Sequence, residues 1–417
     1  MPHAECIQVE LRHSVQRSLC MQFGWLTLAL SPSPEEDYPR IEQQLTQACY
    51  AEEVGFDDIW LTEHYFTGES VYNDPITFAP AVAARTARVR IGFAVIQMPF
   101  HHPVQLAVQL ALLDNISRGR LDIGVGRGTI YNEYEFVGYG LRSDDSRARM
   151  DESLDVLTRA WTEAPFTHRG TYYQMDVPEL RPRPYQKPHP PIWRSVVSPA
   201  SFTECGRLGV PIMTVRIPLE RLRERLKLYE EGLVAGGHHE ATRRHLMQQA
   251  AIWRNVHVAE SDAQAEDELV AALLETRHHM IHARSTLNPA DFHVDSALLN
   301  PWANAEVPDE EGVRYVLETG SIYGTPDHVR GQIEELRDAG VHHVMCQMSF
   351  GDMAPRQNCR IDASFWCVCD TGISVRKKEE HRHASRRIAR DASATKATVP
   401  GSTGGGNDHV VGRRQSR

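Results

Sequence analysis

The feature that most restricts the fold of this chain is a repeated alternation of β-prone runs with helical patterns between residues 21 and 353. Eight apolar, β-prone runs predict strands at 21–30, 58–62, 89–97, 120–125, 192–197, 210–215, 250–258 and 343–350. Apolar residues at helical spacing predict helices at 35–54, 75–85, 103–116, 146–161, 201–208, 219–233, 262–283 and 326–339. Such alternation is typical of parallel strands joined by right-handed crossovers, and eight units predict an α/β fold of the (β/α)8 TIM barrel type.

Two stretches interrupt this alternation and predict insertions in the barrel. Residues 178–191 are rich in proline, and residues 285–320 are rich in loop-forming residues. A doubly wound open sheet is the alternative, but no G-x-G-x-x-G turn follows the first predicted strand. We therefore expect one barrel with insertions, although 417 residues alone would suggest two or three domains.

The charge of the chain changes sign near residue 354. The formal net charge is −10, yet residues 354–417 carry 13 Lys and Arg against 6 Asp and Glu, which leaves −17 for the residues before them. This basic end is rich in Arg, Ser and Gly without amphipathic spacing, which predicts a disordered tail or an altered reading frame. We expect residues 1–20 to be a lead outside the domain, upstream of the native start, and the barrel to span 21–353.

The composition also excludes several classes of protein. An acidic body lacks the basic footprint that phosphate backbones require, so we expect no nucleic-acid partner. No run of about 18 apolar residues predicts a membrane span, and the first twenty residues lack the apolar segment of a secretory signal. These features favour a cytoplasmic protein whose eight cysteines are thiols.

Residues that could carry chemistry follow the predicted strands, where TIM barrels place their active sites. His64 follows Glu63 after the second strand, and an imidazole with a pKa near ~6.5 suits proton transfer, although a single histidine is more often structural. Gly126, Arg127 and Gly128 follow the fourth strand. Glycines allow a backbone to approach a ligand, and the Arg is a forked donor for phosphate; a tight turn with a surface Arg is the alternative.

Two hydroxyls mark the start of the helix after the fifth strand. Ser198 and Ser201, together with free N–H groups there, suit an anion. Ordinary capping of the helix explains the same residues, and from this pattern alone it is the favoured explanation.

Two histidine pairs have spacings that suggest metal ligands. His101 and His102 are adjacent, so their side chains diverge, and the following proline indicates a helix start. His278 and His282 are four residues apart on a predicted helix but lack the glutamate of a zinc-protease motif. We therefore expect no metal site.

Four ordered stretches together resemble the bacterial luciferase-like, flavin-dependent monooxygenase family. They are A-E-E-V-G-F-D-D-I-W-L-T-E-H-Y-F (51–66), M-P-F-H-H-P-V-Q (98–105), L-L-D-N-I-S-R-G-R-L-D-I-G-V-G-R-G (112–128) and Y-G-T-P-D-H-V-R-G-Q-I-E-E-L (323–336). They spread over nearly all of the predicted barrel. Each is moderately specific, and the set is much more so.

The resemblance implies roles for individual residues. The family's catalytic histidine corresponds to His64, and Tyr65 stands where the family often has a second histidine. The phosphate-binding arginine corresponds to Arg127. Gly126 stands where luciferase has a reactive thiol, which leaves no thiol role at that position.

Two further positions follow from the same resemblance. The family's phosphate-holding turn appears as Ser198-Pro199-Ala200-Ser201, with Ala in place of Glu. Because backbone N–H groups supply part of that contact, the change need not abolish binding. The family often has a non-prolyl cis peptide after the third strand, which falls near Ala94 and Val95.

The implied chemistry is oxygen activation by reduced FMN, with insertion of one oxygen atom into a small organic substrate. The implied partners are a flavin reductase, which supplies the reduced FMN, and a second copy of the chain in a homodimer. We expect His64 to manage proton transfers, and Phe66, Phe100 and Trp193 to supply an apolar mouth that excludes water.

Two alternative functions stay open at this point. A deazaflavin-dependent hydride-transfer oxidoreductase would share the barrel and the histidine after strand two. A non-catalytic flavoprotein or regulatory subunit would share the fold, but retention of His64 and Arg127 argues against it. The sequence does not identify the substrate, because barrel loops vary freely.

Overall fold

The computed structural model describes residues 21–294 and 299–348, and within them eight parallel strands close a barrel. These are β1 Gln22–Thr27, β2 Asp58–Leu61, β3 Arg90–Phe93, β5 Leu121–Gly126, β8 Ile192–Val196, β9 Ile212–Thr214, β10 Ala251–Val258 and β12 His343–Gln347. Four further strands, outside the ring, are β4 Ile96–Gln97, β6 Phe166–Arg169, β7 Gln174–Val177 and β11 Ser321–Gly324. The expectations for 1–20 and 354–417 lie outside the described residues.

The order of strands around the ring follows the order of the chain. Each ring strand pairs in parallel with the next, and β12 pairs with both β10 and β1 to close the barrel. The closing register places Gln22 opposite His343 and Leu26 opposite Gln347. The predicted TIM barrel is therefore confirmed, and the carboxyl ends of all eight strands meet at one rim.

Helices cover the outside of the ring and fill the connections. They are α1 Pro34–Val54, α2 Pro75–Arg85, α3 Pro103–Ser117, α4 Glu133–Gly138, α5 Ser146–Thr162, α6 Pro199–Leu208, α7 Leu219–Ala235, α8 Glu240–Gln249, α9 Asp262–Leu287, α10 Asp309–Gly320 and α11 Pro326–Asp338. Five of them, α1, α2, α3, α6 and α11, have proline as the first helical residue, and α9 follows the capping Ser261, as helix starts commonly do.

Several local predictions were wrong. The predicted run 89–97 is two short strands, β3 and β4, separated at Ala94 and Val95, whose peptide bond is cis. The stretch 285–320, which was predicted to be loop, contains α10. Acidic residues in the first turn of α10 obscure its apolar spacing in the sequence. Sequence analysis also missed helix α8 and the antiparallel hairpin of β6 and β7.

The centre of the barrel is packed around Trp60, which is fully buried on β2. Its indole donates to Asp58 and meets Trp193 edge to face, with ring centroids 5.2 Å apart. Gly92 on β3 makes room for it, since a Cβ there would overlap the Trp60 ring. The Trp60 side chain therefore fills the barrel interior below the rim, as expected of a barrel whose core is filled by side chains.

A second apolar cluster joins α9 to α10 outside the ring. At its side the fully buried Arg277 guanidinium donates to the carbonyls of residues 301, 302, 304 and 307 and to Asp309. One arginine thus fixes the segment between α9 and α10. That segment reaches the rim, where Asn300 and Trp302 line the cavity described next.

Candidate active site

A cavity of about 270 Å³ opens at the carboxyl ends of the strands. Its walls come from residues within or just after seven ring strands and from α9, α10 and the segment between them. Its polar lining residues are Thr62, His64, Glu69, Thr129, Tyr131, Arg216, Asn255, Thr276, Arg284, Asn300, Tyr315 and Gln347. This is the place where a TIM barrel binds its ligands.

The loop after β2 is anchored by Glu63, which is buried. Its carboxylate accepts from the Gln97 backbone N–H at 2.6 Å, contacts His101 Nε2 at 2.7 Å and accepts from the Tyr65 hydroxyl. Its carbonyl accepts from the Gln97 amide at 2.7 Å. These bonds tie the β2 and β4 ends together and leave the neighbouring His64 facing the cavity.

His64 lies between two carboxylates. Its Nδ1 is 3.2 Å from Glu135 Oε1, and its Nε2 is 4.0 Å from Glu69 Oε1. Burial by itself lowers the pKa of His64, but Glu69 and Glu135 outweigh that effect and raise the pKa to about 9. The imidazole is therefore protonated at neutral pH, with Nδ1–H directed at Glu135.

Glu135 is the fixed member of this pair. It lies on the short helix α4, is fully buried, and accepts from the Tyr65 backbone N–H at 2.9 Å with the same Oε1 that contacts His64. Its Oε2 has no partner in the described part of the chain. Because Glu135 holds Nδ1, the Nε2–H of His64 is the proton left for a cavity ligand; Glu69, at 4.0 Å, is too far for a hydrogen bond.

Arg127 directly follows β5 at the same rim. Its side chain is exposed and makes no hydrogen bond or ion pair with the described residues. The glycines beside it allow close packing: a Cβ at Gly126 would lie 2.6 Å from Val95 Cγ2, and one at Gly128, where φ is +89°, would lie 2.8 Å from Gln97 Oε1. The Arg127 guanidinium is thus presented to solvent on a turn that only glycines permit.

Ser198 and Ser201 begin α6, immediately after β8. Ser198 Oγ accepts from the Ser201 backbone N–H at 3.3 Å, and Ser201 Oγ donates to the Ser198 carbonyl at 2.7 Å. The capping explanation is therefore confirmed for Ser198. Both residues are at least partly exposed, and β8 pairs with β5, so this helix start lies on the strand next to the one that carries Arg127.

The predicted site residues thus divide into two groups. His64 and Ala94 line the cavity, and the cis peptide expected near Ala94 is present. The residues predicted to hold phosphate do not line it; these are Gly126, Arg127, Gly128, Ser198 and Ser201.

The apolar mouth predicted from three aromatic residues was wrong. Phe66 is 58% exposed, Trp193 is in the barrel core, and neither these nor Phe100 line the cavity. Its apolar walls come instead from strand ends and from α9, α10 and their connection, namely Leu26, Leu28, Trp253, Leu273, Met280, Trp302 and Val316.

Four charged residues of the site were missed from the sequence: Glu69, Glu135, Arg216 and Arg284. Glu135, Arg216 and Arg284 are distant from His64 along the chain, so only the fold brings them to the same site. Glu69 follows His64 by five residues but carries no local motif. No group of three or more metal-ligating side chains occurs among the described residues, where His101 instead contacts Glu63 and His278 contacts Asp309. Among the described helices, none is long and apolar enough to cross a membrane.

The chain is similar to known proteins over most of its length. The family model described as luciferase-like monooxygenase matches residues 21–343. The chain belongs to the luciferase-like monooxygenase family. That match covers the closed ring up to the start of β12, so it includes His64 and the other site residues predicted from the sequence.

Two relatives in this luciferase-like monooxygenase family illustrate its range. The 4-hydroxyprotoasukamycin monooxygenase of Streptomyces nodosus subsp. asukaensis is 30% identical over 266 residues, which cover 62% of this chain and 70% of that protein. The oxygenase component of the flavin-dependent trigonelline monooxygenase of Acinetobacter baylyi is 31% identical over 200 residues. That alignment covers 48% of this chain and 55% of the relative, little more than half of its length.

Solved structures agree with the fold. Monooxygenase RslO1 from Streptomyces bottropensis superposes with a TM-score of 0.71 and 29% identity, covering 83% of this chain and 98% of that one. An F420-dependent secondary alcohol dehydrogenase shares the fold alone, with a TM-score of 0.61 and 19% identity over 83% of this chain and 98% of that one.

Proposed function

We propose that the protein is a flavin-dependent monooxygenase that uses reduced FMN and O2 to insert one oxygen atom into a small organic substrate. The observation that carries this proposal is His64, a protonated imidazole held between two carboxylates in a rim cavity with mostly apolar walls. Membership of the luciferase-like monooxygenase family supports it.

The rim has the donors that an FMN phosphate requires. Arg127 is a forked cation without a partner in the described part of the chain, and the adjacent start of α6 adds the hydroxyls of Ser198 and Ser201. Gly126 and Gly128 keep the turn beside Arg127 free of side chains. Ala94 lines the cavity where the flavin ring would lie, so the residues present fit the group.

The test of this assignment is binding of oxidised FMN, followed by flavin fluorescence. Arg127→Ala is expected to weaken FMN by at least tenfold, since hydrogen bonds to a charged group contribute about 1.5–3 kcal/mol. Riboflavin, which lacks the phosphate, is the matched ligand, and its affinity should change by less than about twofold. Unchanged FMN affinity in Arg127→Ala would refute the phosphate role.

Reduced flavin, when bound, supplies the electrons that activate O2. This chain's own part is to exclude water from the cavity and to move a proton at His64 Nε2, while Glu135 holds Nδ1 and so fixes the ring. We expect His64→Gln to lower oxygenation of a productive substrate by about 10²-fold or more. Oxygenation at the parental rate and coupling would show that His64 is not the proton-transfer group.

We infer a separate flavin reductase as partner, since the related trigonelline enzyme is described as an oxygenase component. Oxygen uptake by the purified chain should then require both NADH and an added reductase, or chemically reduced FMN. Uptake with NADH and FMN alone would contradict this arrangement.

We also propose a homodimer in the cytoplasm. Val108, Leu112 and Ile116 form a stripe along one face of α3 and are 39–49% exposed, a pattern that a second copy of the chain would cover. Sedimentation velocity should give twice the chain mass, and Leu112→Glu should give the monomer. A monomeric parent protein would refute the dimer.

Two measurements, cofactor binding and O2 uptake, distinguish the monooxygenase from the deazaflavin-dependent alternative. The F420-dependent alcohol dehydrogenase shares only the fold, so the comparison of cofactors must be made on this chain itself. Tighter binding of FMN than of F420, together with substrate-dependent O2 uptake, supports the monooxygenase. Preferential retention of F420 favours hydride transfer, and flavin binding without O2 uptake across a substrate panel favours a non-catalytic subunit.

A further inference from the structure

One wall of the cavity has a chemistry that the proposed reaction of His64 does not use. It consists of Arg216, which follows β9, Trp253 and Asn255 on β10, and Trp302 from the segment before α10. Trp253 and Asn255 are two residues apart on one strand, so both side chains emerge from the same face. We refer to these four residues as the Arg216 wall.

The guanidinium of Arg216 rests on aromatic surfaces rather than on carboxylates. Its Cζ lies 4.3 Å from the Trp253 ring centroid and 5.4 Å from that of Trp302. Gly320 leaves space for its stem, because a Cβ at that position would overlap Arg216 Cγ and Cδ. Among the described residues, Arg216 has no hydrogen bond and no ion pair, although Glu69 is close enough to act on its charge.

A second cation without a counter-ion lies behind this wall. Arg254 is 4% exposed and donates to the carbonyls of Trp253 at 2.9 Å and Ile217 at 3.0 Å. Burial, together with the positive charge of Arg216, lowers the pKa of Arg254 to about 10. Two neighbouring guanidinium groups thus share a buried region in which no carboxylate pairs with either of them within the described chain.

Unpaired hydrogen-bonding groups occur on the same wall. Asn255 is 1% exposed, and neither its Nδ2 nor its Oδ1 has a partner in the described part of the chain. The indole Nε1 of Trp253 is likewise buried without an acceptor there. Buried groups of this kind are normally hydrogen-bonded, and leaving each unpaired costs about 1–3 kcal/mol. A ligand that accepts hydrogen bonds would remove that cost at the two donors, Asn255 Nδ2 and Trp253 Nε1.

We propose that the Arg216 wall binds the carboxylate of an organic-acid substrate, with Arg216 as the charged partner and Trp253 and Asn255 as neutral donors. This inference rests on the proposed monooxygenase function and deepens it by naming a substrate class. A carboxylate matches the guanidinium in shape and charge. Leu273, Met280 and Val316 give the cavity an apolar face beside the wall, so the remainder of the acid is a small hydrocarbon or aromatic group.

The experiment measures binding of benzoate and of benzamide, its neutral isostere, by calorimetry without flavin. Benzoate should bind the parent protein at least tenfold more tightly than benzamide. Arg216→Gln should abolish that preference by weakening benzoate at least tenfold and benzamide less than about twofold, and Arg216→Lys should restore part of it. Asn255→Asp, which adds a negative charge to the wall, should also weaken benzoate more than benzamide.

Two controls make the result decisive. Arg284→Gln removes another arginine of the same cavity, whose Nε donates to Asn132 and whose guanidinium lies over the Tyr131 ring, although its Nη1 has no partner in the described part of the chain. Because these contacts hold Arg284 away from the Arg216 wall, the change should weaken benzoate less than about threefold. FMN affinity, measured on the same variants, should not change with Arg216→Gln. Equal binding of the two probes, or an equal loss in Arg284→Gln, would overturn the proposal.

Weaker FMN binding in Arg216→Gln with benzoate unaffected would instead identify the flavin ring as the ligand of this wall, and would also overturn the proposal. A failure of flavin binding in the parent protein is a separate result, because the benzoate measurement needs no flavin. That result would refute the proposed function. Carboxylate binding at the Arg216 wall would still be tested by the benzoate and benzamide measurements.

Discussion

The carboxylate of Glu135 is expected to control the protonation state of His64. At 3.2 Å and an effective dielectric constant of about 20, one unit charge contributes about 5 kcal/mol, which is close to four pKa units. Glu135→Gln keeps an acceptor for the Tyr65 N–H but removes that charge. We therefore expect the pKa of His64 to fall from about 9 to below about 7.

This shift has a large effect at physiological pH. At about pH 7.5 the protonated fraction of His64 is expected to fall from about 97% to below about 25%. The assay is a ¹³C NMR titration of histidine-labelled protein, with the His64 signal assigned by its loss in His64→Gln. Because the signal reports protonation directly, the measurement requires neither the substrate nor the flavin.

The matched control is Glu268→Gln. Glu268 contacts another histidine, His257, at 2.7 Å and does not line the cavity, so its removal should leave the His64 titration unchanged. A His64 midpoint that stays above pH 8 in Glu135→Gln would refute the electrostatic reasoning. A parent midpoint near the ordinary value of about 6.5 would refute it as well.

Three further predictions concern stability. The pKa of His64 in the folded protein, about 9, exceeds the unfolded value near ~6.5. Its protonation therefore contributes roughly 3 kcal/mol to the free energy of unfolding below about pH 6.5, and this contribution is lost as pH rises through 9. Urea unfolding of His64→Gln should lack this decline. Gly92→Ala should cost roughly 1–3 kcal/mol in thermal unfolding by clashing with Trp60, whereas Gly331→Ala, in open space on α11, should stabilise by about 0.5–1 kcal/mol. Arg277→Met should cost at least about 3 kcal/mol, because several carbonyls lose their donor; a smaller cost would contradict its role.

The ring of the fold was predictable from the sequence because each ring strand is a run of β-prone residues followed by a helical pattern. Period and length are local properties, so residues 58–62 or 192–197 reveal their state without reference to the rest of the chain. Helix α10 was missed because its polar first turn and the loops before it outweighed its short apolar face. The hairpin of β6 and β7 was missed because its four-residue strands are largely exposed.

The residues of the site also divide into those that the sequence predicts and those that only the fold reveals. His64 could be predicted from its position after a strand and from the motif around it. Its partner Glu135 lies 71 residues further along the chain, in a helix of six residues, and nothing local distinguishes it from a surface glutamate. Arg216 and Asn255 were also missed. They stand out because their polar groups have no hydrogen-bond or ion-pair partner among the described residues, and only the folded chain shows this.

The closing pair of strands has a consequence for synthesis of the chain. Gln22 pairs with His343, so the first strand leaves the ribosome long before its second neighbour exists. At about 5–20 residues per second, the 321 residues from Phe23 to His343 take roughly 16–64 s to translate. Throughout that time one edge of β1 has no barrel partner and can pair with other chains. Expression at low temperature or with chaperones in excess should therefore raise the yield of native protein more than stabilising the finished barrel does.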